Sequence, residues 1–177
     1  MSKLIPRQPV PVLEVDTVDH GPWRLADQRP QNFTMVVFYR GLHCPICGSY
    51  IRQLDGLQED FDALGVSPIA ISSDSEERAR QAKERWHADK ITVGYGLDLD
   101  VARAWGLYIS ASRGKTSVGI EEPPLFCEPG LFLVRPDGTL FGSSVNTMPF
   151  ARPHFDELMK MLGMIIEKDY PARGEVA

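Results

Sequence analysis

Two apolar runs and the segment between them constrain this chain most. Met35-Val-Val-Phe-Tyr39 is continuous and rich in β-branched and aromatic residues, as in a strand buried on both faces. Val66 to Ser72 has the same character. From Ser49 onward Ile51, Leu54, Leu57, Phe61 and Leu64 recur at three- and four-residue spacing, which is one face of a helix closed by Gly65. A buried strand, a helix and a second buried strand imply parallel pairing across a sheet that needs helices on both faces.

The remaining segments extend that frame. Val12 to Leu25 reads as two short strands around the turn Asp19-His-Gly-Pro22, and Ser73 or Asp74 is expected to cap a charged helix. Ile91 to Tyr95 is a shorter strand, followed by a short helix over Asp98 to Trp105. Residues 106–128 read as a long loop rich in Gly, Ser and Pro, a length usually tied to function. A hairpin turns at Arg135-Pro-Asp-Gly138, and Arg152 to Lys168 forms a closing amphipathic helix. The expected architecture is one α/β domain, a mixed sheet flanked by helices on both faces. It spans 12–170, with an N-terminal arm over 1–11 and a tail over 171–177.

Charge narrows the function classes. The 177 residues carry 24 acidic and 19 basic side chains, a net charge of -5, with no long single-sign run. Nucleic acid and anionic membranes are therefore not the expected partners. No stretch approaches the roughly 20 apolar residues that span a bilayer, and Met1 to Pro11 does not resemble a signal peptide. A cytoplasmic location is the expectation.

Cys44-Pro-Ile-Cys47 stands between the first buried strand and the amphipathic helix. In a reducing compartment a close cysteine pair is more often redox-active or metal-binding than a structural disulfide. Zinc sites usually need four ligands, and His20, His43, His87 and His154 are scattered with no second Cys-x-x-Cys. Ser112-Arg-Gly-Lys-Thr116 lacks the frame of a phosphate loop, so Arg113 and Lys115 read as solvated or pocket-lining charge. No metal and no cofactor are expected. A thiol of ordinary pKa is only about 3% thiolate at pH 7, and a helix N-terminus favours the anion. The two-residue spacing brings the second sulfur one turn away, close enough to form a disulfide. His43 and Arg40 are candidate positive neighbours. Phe38, Tyr39, Trp105 and Tyr108 form an aromatic stripe that reads mainly as core. Met159, Met161 and Met164 serve as packing or a homodimer face.

The segment Val36-Val-Phe-Tyr-Arg-Gly-Leu-His-Cys-Pro-Ile-Cys47 resembles the active-site entry of peroxiredoxin-like proteins of the alkyl hydroperoxide reductase/thiol-specific antioxidant family, within the thioredoxin-like superfamily. Glu128-Pro-Gly-Leu-Phe-Leu-Val-Arg-Pro-Asp-Gly-Thr-Leu140 resembles that family's later hairpin. The likeness runs from about Val12 to Leu162. It implies a thioredoxin-like fold and a thiol oxidoreductase. The substrate is then a peroxide or a disulfide, and the electron donor is of the thioredoxin or glutathione type.

The sequence also departs from a peroxiredoxin. In the loop Pro-x-x-x-Thr-x-x-Cys, Arg40 holds the proline's place, Cys44 the threonine's and Cys47 that of the attacking cysteine. Pro129 stands where an arginine precedes the later strand. Both changes look like thioredoxin, in which the N-terminal cysteine, here Cys44, attacks and Cys47 resolves. The two alignments name different attacking sulfurs, and the loop–helix junction favours Cys44. By the same resemblance Glu128-Pro129 is expected to be cis. Cys127 reads as a small apolar residue of the loop, and becomes a candidate third redox thiol if Pro129 faces the pair.

Overall fold

The protein is described by a computed structural model over residues 4–176, so the first three residues of the arm and Ala177 lie outside the described residues. The strands are β1 (Glu14–Thr17), β2 (Gly21–Arg24), β3 (Phe33–Phe38), β4 (Val66–Ile71), β5 (Thr92–Tyr95), β6 (Ile109–Ala111), β7 (Leu125–Cys127), β8 (Gly130–Val134) and β9 (Leu140–Val145). The helices are α1 (Pro45–Gly56), α2 (Gln58–Ala63), α3 (Glu76–Trp86), α4 (Leu99–Ala104) and α5 (Phe155–Glu167).

Seven strands form one sheet in the order β2-β1-β5-β4-β3-β8-β9. The pairs β3–β4 and β4–β5 are parallel, while β3–β8, β8–β9, β1–β2 and β1–β5 are antiparallel. The mixed sheet follows from the order of elements. Helical crossovers join the parallel strands, and tight turns join the hairpins β1–β2 and β8–β9.

Side chains alternate along β3 and divide the core in two. Met35, Val37 and Tyr39 face a cluster with Ile51, Leu54, Phe61, Ala79 and Phe155, from α1, α2, α3 and α5. Val36 and Phe38 face the other cluster, with Ala102, Trp105, Leu107 and Phe132. Cys44 and Cys47 belong to the first cluster and Cys127 to the second.

Three expectations are corrected. The helix of residues 49–64 is two helices, broken at Leu57, whose N–H turns back to the Leu54 carbonyl at 3.0 Å. Gly56 weakens the helix there, and the Asp55 carboxylate is engaged by the N–H groups of Lys90 and Ile91 at 2.7 and 2.8 Å. The cap of α3 is Ser75, which accepts from Arg78 N–H, because Asp74 is used elsewhere. Residues 106–128 are not a plain loop. Strands β6 and β7 pair antiparallel, and Lys115 bridges Glu121 nearer the tip, so the segment is a ribbon. In the arm, Pro9 bridges Thr139, and the Arg7 side chain donates to the Ala172 carbonyl at 3.2 and 2.9 Å.

Candidate active site

Helix α1 starts where it does for local reasons. Pro45 occupies its first turn and Cys44 is extended, with φ -101°. The Cys44 Sγ then acts as the helix cap, accepting the Cys47 N–H at 3.2 Å. The preceding turn is held from outside. Leu42 N–H donates to Asp74 Oδ2 at 2.7 Å, and Arg78 Nε donates to Asp74 Oδ1 at 2.8 Å. Gly41 has φ +131°, and a Cβ there would meet Asp74 Oδ2 at 2.5 Å. Only glycine suits both conditions.

The two sulfurs are close in sequence but differ in acidity. A hydrogen bond from the Cys47 thiol, the Cys47 N–H, and the charges of Arg40 and Arg152 bring Cys44 down from 9.0 to about 7, although burial opposes them. Burial pushes Cys47 well above its ordinary value, and the neighbouring Cys44 adds to that. Near pH 7 Cys44 is therefore about half thiolate, beside a Cys47 that remains a thiol. Both sulfurs are covered: the exposure of Cys44 is 2%, and that of Cys47 is 0%. Ile46 between them is exposed.

Arg152 was missed in the sequence as a site residue. It lies just before α5, stacks its guanidinium 3.9 Å from the Tyr50 ring centre, and donates to the Ile46 carbonyl at 3.2 Å. Its Nη1 is 3.8 Å from Cys47 Sγ. No local spacing signals this, because 105 residues separate it from Cys47.

Arg40 is present as a positive neighbour. Its Nη2 is 3.2 Å from Glu128 Oε1, and its guanidinium lies 4.8 Å from the Phe126 ring centre. Ser110 Oγ donates to the same carboxylate oxygen, so Glu128 joins the active-site turn to the ribbon. His43 is not a positive neighbour. Burial brings its pKa from 6.5 to about 4, which leaves a neutral ring edge-on to Phe126 at 4.6 Å. Tyr39 is fully buried, edge-on to Trp86, and burial raises its hydroxyl pKa.

The expectation that Glu128-Pro129 is cis is also corrected. There is no cis peptide bond among the described residues, so Glu128-Pro129 is trans. The Pro129 carbonyl accepts the Asn146 N–H at 3.0 Å, a tie to the end of β9. Cys127 is not brought to the pair. It sits in the cluster on the other face, its thiol donates to the Tyr39 carbonyl at 3.5 Å, and burial raises its pKa to about 12. Its thiol stays protonated and poorly nucleophilic at neutral pH. Arg113 is exposed on the ribbon, while Val118 and Ile120 line a cavity beneath it.

A buried dithiol capping the helix that follows a central strand defines a thiol oxidoreductase of thioredoxin-like fold. The chain belongs to the AhpC/TSA family, whose model matches residues 6–141. Solved peroxiredoxins share the fold. Peroxidoxin BcpB of Mycobacterium tuberculosis is 19% identical at a TM-score of 0.70, covering 92% of this chain and 99% of that one. The reduced 2-Cys peroxiredoxin of Plasmodium vivax is 17% identical at 0.75, covering 96% and 86%. A cysteine-to-serine mutant of peroxiredoxin 6 of Arenicola marina is 16% identical at 0.76, covering 95% and 76%. No curated protein matches the chain significantly.

Proposed function

We propose that this protein reduces peroxides through a Cys44–Cys47 dithiol/disulfide cycle in which Cys44 attacks. The observation that carries the reading is the Cys44 sulfur at the cap of α1, accepting the Cys47 N–H at 3.2 Å with its pKa lowered to about 7. The Cys44 thiolate attacks one oxygen of the peroxide. The O–O bond breaks, the other oxygen leaves as alkoxide or hydroxide and takes up a proton, and Cys44 becomes sulfenic acid. The Cys47 thiol then displaces that hydroxyl. An S–S bond forms and water is released. A thioredoxin-type dithiol donor restores both thiols, which suits a cytoplasmic setting.

The test is stopped-flow reaction of single mutants with hydrogen peroxide. Cys44→Ser is expected to be inert, and Cys47→Ser to react once and stop at sulfenic acid. A fast Cys44→Ser protein beside an inert Cys47→Ser protein reverses the roles. One observation favours a second reading. Cys44 stands where the peroxiredoxin loop has threonine, so the pair also suits exchange with protein disulfides. Insulin reduction without peroxide turnover would decide for that reading.

A further inference from the structure

Burial gives Cys47 a difficult task. It must give up a proton to close the disulfide, yet it is fully covered and lies inside the apolar cluster under α1. Arg152 is the cation that reaches it, with Nη1 3.8 Å from Cys47 Sγ. The segment before α5 is built to hold that cation. Nη2 donates to the Ile46 carbonyl at 3.2 Å, and the guanidinium stacks 3.9 Å from the Tyr50 ring centre. The Tyr50 hydroxyl donates to the Pro153 carbonyl at 2.7 Å, so the residue after Arg152 is fastened to the same helix. The residue before it, Ala151, has φ +60°, a left-handed conformation that a non-glycine residue keeps only where surrounding contacts impose it.

Stability alone is a poor reason for this arrangement. Among the described residues, no carboxylate pairs with Arg152, which is half-buried. One ring and one carbonyl replace only part of the hydration such a cation loses. Beside a neutral thiol its charge gains little, and beside a thiolate it gains much more. The neighbouring sulfur decides when that gain is available. While Cys44 is a thiolate, its hydrogen bond and its charge keep the proton on Cys47. Conversion of Cys44 to sulfenic acid removes that charge. Arg152 and the Arg40 backbone N–H then act against burial without that opposition. The first step of the cycle thus releases the second.

We propose that Arg152 is a catalytic residue of disulfide closure, stabilising the negative charge that develops on Cys47 Sγ as that sulfur displaces the hydroxyl of oxidised Cys44. The S–S bond forms as the S–O bond breaks. The Cys47 proton passes to the departing hydroxyl, which leaves as water. No further oxidant takes part, because the peroxide has already removed two electrons from Cys44. Without the cation the sulfenic acid persists and meets a second peroxide. One oxygen of that peroxide adds to Cys44 to give sulfinic acid, and the other leaves as water or alcohol. The assignment rests on the reading above in which Cys44 attacks and Cys47 resolves. The same closure follows when Cys44 carries a different leaving group, such as the thiol of a mixed disulfide.

The experiment compares the wild type, Arg152→Gln and Arg152→Lys in single turnover at about pH 8.5, where Cys44 is largely thiolate in each. Samples quenched at intervals after one equivalent of hydrogen peroxide are treated with dimedone and weighed by mass spectrometry. Arg152→Gln is expected to form sulfenic acid within about twofold of the wild-type rate. It should close the disulfide about tenfold more slowly, with sulfinic acid appearing on further peroxide. Arg152→Lys keeps the charge and should restore much of the closing rate. A second arm replaces peroxide with oxidised glutathione and follows release of glutathione from the Cys44 mixed disulfide. The same slowing and the same rescue are expected there. Equal closing rates in the wild type and Arg152→Gln overturn the assignment. So does equal slowing of both steps in both variants, the mark of a displaced helix rather than a missing charge. A wild type inert to peroxide, whose mixed disulfide still closes in an Arg152-dependent way, sinks the peroxidase reading and leaves the role of Arg152 standing.

Discussion

Cys44 and Cys47 show how one helical turn separates two thiols chemically. Cys44 receives a backbone N–H, a thiol hydrogen bond and the charges of two arginines, whereas Cys47 receives mainly burial and a neighbouring sulfur. The rate of alkylation or peroxide attack at Cys44 should therefore rise with pH, with a midpoint at about 7. Arg152→Gln removes a charge that favours the thiolate, so that midpoint should move up by about half a unit, read from iodoacetamide kinetics against pH. His43 gives a second prediction. Its folded pKa of about 4 lies below its ordinary 6.5, so the folded state binds this proton less readily than the unfolded chain. Its contribution to stability is complete above pH 6.5 and is lost as pH falls from there through about 4. Urea denaturation across this range should show a shallower acid slope for His43→Phe than for the wild type.

The turn before α1 depends on an element that lies beyond the first parallel crossover. Asp74 precedes α3, yet its two carboxylate oxygens hold Leu42 N–H and the Arg78 guanidinium. Asp74→Ala leaves a buried donor and a half-buried cation without their partner, so it should cost about 3 kcal/mol and loosen the dithiol turn. Gly41→Ala should cost at least about 2 kcal/mol, because φ +131° strains any side chain and the new Cβ meets Asp74. Chemical denaturation gives both values. The Cys44 alkylation midpoint should rise in each if the turn positions the sulfur. The element boundaries that sequence periodicity missed have causes of the same kind. The apolar spacing across Leu57 is continuous, but the Asp55 carboxylate is engaged by backbone beside β5 where the helix breaks. Ser73 and Asp74 have suitable chemistry for a cap, but Asp74 is committed to the dithiol turn.

Across the whole molecule, arm and tail meet beside the β8–β9 turn. Backbone of Arg7 and Val10 donates to Leu140 and Gly138 at 2.7 and 3.0 Å, and the Arg7 side chain reaches the Ala172 carbonyl. Arg7→Ala should lower stability by about 1 kcal/mol, a fall of roughly 2–4 °C in the melting temperature. The Cys44 midpoint should not move, since the contact lies outside the dithiol site. Calorimetry and alkylation on the same sample check both halves.

Periodicity in the sequence determined the strand–helix–strand frame around the cysteine pair and the final hairpin. It did so because alternation along a strand and recurrence along a helix are local consequences of backbone geometry. It also determined that Cys44 stands where a helix begins, since proline next to an apolar helical face marks that point. The tertiary structure decided the rest of the site. Arg152 reaches it across 105 residues, Glu128 ties Arg40 to the ribbon, His43 is neutral, and Cys127 faces the far side of the sheet. Each depends on burial and on which distant side chain packs against which, and those are set only when the strands pair in register.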